Sequence, residues 1–118
     1  MTRTGIRGLL AATPAAVAIL AAVSAGAAER EVKIDNFTFT PERVTVRAGT
    51  TVTWINEDDI PHTIASSAKI FKSKALDTDD KYAFTFTTPG VYQYFCSLHP
   101  HMTGTIVVEA VTGSSVAQ

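Results

Sequence analysis

Short β-rich runs, each stopped within a few residues by proline, glycine or a polar turn, fill the chain from Val32 to Glu109. Val32, Ile34 and Phe37-Thr38-Phe39 alternate apolar with polar positions. Pro41 interrupts, and Val44-Thr45-Val46 resumes the alternation. Arg47-Ala48-Gly49-Thr50 has the composition of a turn. Thr51-Val52-Thr53-Trp54-Ile55 is rich in the β-branched and aromatic residues that fit a pleated, half-buried surface. Ala83 to Thr87 alternates again, and Thr88-Pro89-Gly90 suits a turn with proline second and glycine third. Strands are then expected over 91–95 and 105–109. The stretch from Ala65 to Lys81 is less regular, with three lysines followed by Asp77, Asp79 and Asp80, and is expected as a long excursion holding at most one weak strand. Short strands at these intervals predict an all-β chain folded as a β-sandwich. Trp54 is expected in its core.

The N-terminal segment does not share this pattern. Arg3 and Arg7 precede an uncharged, alanine-rich run from Gly8 to Ala28, which ends in the small residues Ser24-Ala25-Gly26-Ala27-Ala28 before charged Glu29. This predicts a secretory signal peptide over residues 1–28, cut after Ala27 or Ala28. Residues 29–111 then form the folded domain, and small, polar residues 112–118 a flexible tail. Removing 28 of 118 residues leaves 90, with 8 Lys and Arg against 11 Asp and Glu. That balance excludes binding nucleic acid by neutralising phosphates. After cleavage nothing remains to hold the chain in a membrane, and a monomer is expected. The single cysteine excludes an internal disulfide, a four-cysteine zinc site and a cysteine-pair redox motif. A domain of about 90 residues is marginal on core burial alone. A metal is therefore the obvious remaining staple.

The donor residues are gathered in one place. The mature chain has one Cys, one Met and three His, and four of these five lie in Cys96-Ser97-Leu98-His99-Pro100-His101-Met102. The fifth, His62, follows Pro61 in a turn after the Trp54 strand. Cys96 ends a strand, so its thiolate is expected at the rim of the sandwich. A gap of two residues lets the chain return His99 to the same point, and two more bring Met102 around beneath it. His62 must arrive from another strand end. Two imidazoles, a thiolate and a thioether are the donors of blue-copper electron-transfer sites, a His, His, Cys plane with a weak axial Met. Zinc accepts the imidazoles and the thiolate but has little use for the thioether. His101 is expected as an exposed loop residue, because the plane is already filled. Glu57-Asp58-Asp59 is expected as a solvated turn.

The residues Gly49-Thr50-Thr51-Val52-Thr53-Trp54-Ile55-Asn56, Pro61-His62-Thr63 and Gly90 to Met102 resemble the cupredoxin family. Within it they are most similar to the amicyanin group, which has the short Cys-x-x-His-x-x-Met loop. The resemblance implies a Greek-key sandwich and one type 1 copper held by His62, Cys96, His99 and Met102. It also implies one-electron transfer in the periplasm, between partners such as an amine dehydrogenase and a c-type cytochrome. Three residues depart from the amicyanin pattern. Thr63 replaces an Asn, Leu98 replaces a Pro, and His101 replaces a Phe. Leu98 restores a backbone N–H two residues after Cys96. That N–H is expected to donate to the sulfur and raise the reduction potential.

The expected function is an electron carrier and not an enzyme. A Cys–His hydrolase needs an orienting third group and a substrate cleft, and would leave Met102 unexplained. A multicopper oxidase needs further copper ligands on a second domain. The alternative is a copper-binding module for storage, delivery or resistance, whose mark would be extra Met and His repeats; none exist beyond His101.

Overall fold

The computed structural model describes residues 28–111. The expected signal peptide, apart from Ala28, and the expected tail lie outside the described residues. Eight strands form two four-stranded sheets: β1 (Glu29–Asp35), β2 (Thr38–Thr40), β3 (Arg43–Arg47), β4 (Thr50–Asn56), β5 (Ala65–Ser66), β6 (Lys81–Phe86), β7 (Gly90–Cys96) and β8 (His99–Glu109). One sheet runs β2-β1-β4-β6 and the other β3-β8-β7-β5. Only β1/β2 and β7/β8 are sequential neighbours in one sheet. The other consecutive strands cross between sheets. Two pairs, β1 with β4 and β3 with β8, are parallel. The expected all-β sandwich is the observed architecture.

The alternation in sequence becomes the inner faces of the sheets. Thr50, Val52, Trp54 and Asn56 point inward along β4, and Met102, Gly104, Ile106 and Val108 along β8. Trp54 lies at the centre, with no exposed surface. Its ring meets Tyr94 edge-on at 5.3 Å and stacks with Phe71 at 6.0 Å. Opposite Tyr94 on β8 stands Gly104, where a Cβ would lie 2.3 Å from the Tyr94 ring and hydroxyl. Glycine is therefore required there by the close approach of the ring. Burial raises the Tyr94 phenol well above its ordinary range.

The Ala65–Lys81 excursion carries the short strand β5, as expected, and also buries Phe71 and Leu76 in the core. Its apolar residues are too sparse to show a period, and Ile70 stays half exposed. One segment differs from the sequence expectation. The last strand begins at His99 and not at Thr105. Cys96 pairs directly with His99 across the two-residue turn Ser97-Leu98, with a register irregularity between Phe95 and Cys96. Cys96, His99 and Met102 thus sit at the closed end of a β-hairpin rather than on a free loop.

Candidate metal centre

Three of the four sequence-derived donors converge at one end of the sandwich. Donor atoms of His62, Cys96 and His99 all lie within 4.8 Å of one another. The Cys96 sulfur is 3.8 Å from His62 Nδ1 and 3.6 Å from His99 Nδ1. With metal–sulfur and metal–nitrogen bonds of about 2.3 and 2.0 Å, a trigonal plane sets sulfur and nitrogen about 3.7 Å apart. Both sulfur–nitrogen distances therefore match the spacing that one shared trigonal metal ion requires. Cys96 and His62 are fully buried, His99 is half-buried, and Met102 packs into the core cluster.

His62 is held from both ends. Its backbone exchanges two hydrogen bonds with Leu76, His62 N to Leu76 O at 3.1 Å and Leu76 N to His62 O at 2.7 Å. The turn before it is organised by buried Asn56. That amide donates to the carbonyls of Ile60 and Leu76, both at 2.9 Å, and accepts from Asp58 N at 2.8 Å. The ring is fixed by Asp58, whose Oδ2 lies 2.9 Å from Nε2. That hydrogen bond holds the Asp58 carboxyl below the usual carboxylate range. An ionised carboxylate only accepts, so Nε2 carries the proton and Nδ1 presents its lone pair toward the sulfur. Glu57 and Asp59 are solvated or partly so, as expected of this turn. Asp58 departs from that expectation, because its side chain turns back onto the histidine.

Phe37 is a member of the site that the alternating pattern did not expose. Asn36 and Phe37 have φ of 52° and 58°. Such values are uncommon for a residue other than glycine, and outliers for a bulky one. The Phe37 N–H donates to Asp58 Oδ2 at 3.2 Å. Its ring then lies edge-on to both imidazoles, 5.6 Å from His62 and 5.0 Å from His99. The available signal was Asn36, a residue that tolerates left-handed backbone, between two short β runs.

The sulfur also has a different donor from the expected one. Among the described residues its backbone donor is Thr63 N, at 3.3 Å, and not Leu98. The Ser97-Leu98 turn points Leu98 outward, half exposed. Thr63 arrives from the other ligand segment, where its N–H is already aimed at Cys96. His101 is exposed on β8 beside Phe37 and Glu42 and stands outside the donor group.

A family profile for the cupredoxin-like domain matches residues 8–108. The chain belongs to the cupredoxin-like family, a class of small electron carriers, and the donor set fits that family's single type 1 copper ion. Within the family it resembles the amicyanins. It is 35% identical over 113 residues to amicyanin-alpha of Methylorubrum extorquens, covering 84% of this chain and 95% of that one. It is 43% identical over 75 residues to amicyanin of Paracoccus versutus, covering 59% of this chain and 56% of that relative's length. A solved structure of a reduced amicyanin variant superposes with a TM-score of 0.65 at 34% identity, covering 74% of this chain and 86% of the other.

Proposed function

We propose that the chain is a periplasmic carrier of single electrons, with His62, Cys96, His99 and Met102 as the ligands of its copper. The observation that carries this is the convergence of two imidazoles and one buried cysteine sulfur within 4.8 Å. Copper bound there supplies a one-electron couple between its +1 and +2 states. The protein's part is to hold the donors still, so that little rearranges when the charge changes. The Leu76 bridge fixes the His62 backbone, Asp58 fixes its ring, and the tight Ser97-Leu98 turn fixes Cys96 against His99. Met102, buried in the core cluster, would supply the fourth donor.

His99 is the half-buried donor, and its edge is the route for electrons. Half-exposed Phe37 and Leu98, with exposed Pro61 and Pro100, surround that end with apolar surface. A small apolar contact of this kind suits brief encounters with redox partners. Following the amicyanin resemblance, the partners are a dehydrogenase as donor and a c-type cytochrome as acceptor. Rigid, closed coordination favours this role over copper storage or delivery, which calls for a site that opens to release its ion. Residues 1–28 act as the export signal. The intact mass of the secreted protein tests that assignment, and a mass retaining residues 1–28 refutes it.

The decisive experiment is the visible spectrum of the copper-loaded protein. An intense blue thiolate-to-copper band is expected, lost in Cys96→Ala and kept with an altered potential in Met102→Ala. A colourless protein that binds zinc and cannot be loaded with copper overturns the assignment.

A further inference from the structure

Thr63 follows the first histidine and reaches the other ligand segment through both its backbone and its side chain. Its N–H lies 3.3 Å from Cys96 Sγ and its hydroxyl 3.8 Å from the same sulfur. The hydroxyl also accepts from Ser97 N at 2.7 Å and lies 2.8 Å from Ser97 Oγ. A hydroxyl has one proton to donate and two lone pairs to accept with. Of its three neighbours, the Ser97 N–H can only donate, and a metal-bound thiolate can only accept. Ser97 Oγ can do either. Two arrangements satisfy them. The Thr63 proton goes either to Ser97 Oγ or, when Ser97 N–H and Ser97 Oγ–H both donate to Thr63 Oγ1, to the sulfur. Ser97 is exposed and can reverse its hydroxyl toward water, whereas Thr63 is buried and has no such outlet.

We propose that Thr63, oriented by the Ser97 hydroxyl, is a positioning residue that places two hydrogen-bond donors on the Cys96 thiolate and thereby raises the reduction potential of the site. The proposal rests on the copper reading and deepens it. The physical reason is charge. In the oxidised state the thiolate gives electron density to the metal, and in the reduced state it keeps more of its negative charge. Hydrogen bonds to a more negative acceptor are stronger. Two donors on sulfur therefore favour the reduced state, and one electron arrives from the partner without any proton being transferred. The hydroxyl contact is long, so the N–H supplies the larger share and the hydroxyl an adjustable remainder.

The test is a redox titration of wild type, Thr63→Val, Thr63→Ser and Ser97→Ala, each loaded with copper, with the visible spectrum recorded alongside. Thr63→Val keeps the branched shape and the N–H but removes the hydroxyl. It is expected to stay blue and to shift the oxidised-to-reduced ratio at fixed ambient potential by up to about tenfold toward oxidised. That ratio is about 59 mV for a one-electron couple. Its thiolate-to-copper band is expected to move to lower energy, because the sulfur electrons are less stabilised. Ser97→Ala is expected to shift both in the same direction by less, and Thr63→Ser to restore wild-type values. Blue Thr63→Val and Ser97→Ala proteins with unchanged potential and band energy overturn the proposal and leave the copper assignment standing. Thr63→Ser behaving like Thr63→Val also overturns it, by assigning the effect to the methyl group. If Thr63→Val fails to fold, Ser97→Ala and Thr63→Ser still decide. A wild type that takes up no copper overturns the copper reading and this proposal together.

Discussion

Replacing Asp58 by Ala removes a side chain that touches no metal donor atom facing the sulfur, yet it is expected to weaken copper binding substantially. One oxygen, Asp58 Oδ2, accepts from His62 Nε2 at 2.9 Å and from Phe37 N at 3.2 Å. Without it, two things change at once. The His62 ring is fully buried and loses the acceptor that keeps the proton on Nε2. The proton can then sit on Nδ1, the nitrogen that faces Cys96. The Asn36-Phe37 turn, with both φ values near +55°, also loses the contact that holds Phe37 over the two imidazoles. Backbone strain of this sort persists only where surrounding contacts over-determine it. Losing the partner of a metal-ligating histidine typically costs about 10–100-fold in metal affinity. Two supports lost through one side chain place Asp58→Ala toward the upper end, at about 100-fold. The assay is competition for copper against a chelator of known affinity, with intensity of the blue band as readout. Asp58→Asn retains an acceptor oxygen and is expected to fall between the alanine variant and wild type. Asp59→Ala, one residue on and outside these contacts, serves as the control and is expected to match wild type. An Asp58→Ala affinity within about twofold of wild type, far below the usual effect of such a partner, refutes the argument that Asp58 sets the state of the His62 ring.

Gly104→Ala forces a Cβ to within 2.3 Å of the buried Tyr94 ring, which Phe39 and Trp54 hold in place, so overpacking of about 1–3 kcal/mol is expected. In a domain of this size that lowers the midpoint of thermal unfolding of the metal-free protein by about 4–8 °C per kcal/mol, and an unchanged midpoint refutes the packing argument. A charge introduced at exposed Pro100, as Pro100→Glu, is expected to slow electron transfer to a cytochrome in stopped-flow mixing while leaving the visible spectrum as it was. Equal rates would move the docking surface elsewhere. His101→Phe is expected to keep the blue band intact, since His101 is exposed and outside the donor group. Loss of the band would make His101 a ligand.

What the sequence determined was everything carried by local pattern and by residue type. Alternation at a period of two marked β1, β2, β3 and β6, because a half-buried sheet sorts its side chains that way, and β-branched and aromatic composition marked β4. Cys96, His99 and Met102 named their own chemistry, because a thiolate, an imidazole and a thioether at that spacing suit few metals other than copper. His62 was legible from its Pro-His setting in the resemblance. The tertiary structure alone decided how these groups are held. Asp58 meets Phe37 across 21 residues, and Thr63 meets Cys96 across 33. No local period records such meetings. Asp58 looked like the middle of a solvated acidic turn, and only the path of the chain through Asn56 turns its carboxylate onto His62. Leu98 looked like the natural donor to sulfur, since it is two residues from Cys96. A two-residue turn in a β-hairpin instead aims it outward, and the sulfur faces the segment arriving from the opposite sheet. Side-chain identity is a property of the sequence, whereas hydrogen-bond direction is a property of backbone orientation, which depends on every strand the residue packs against.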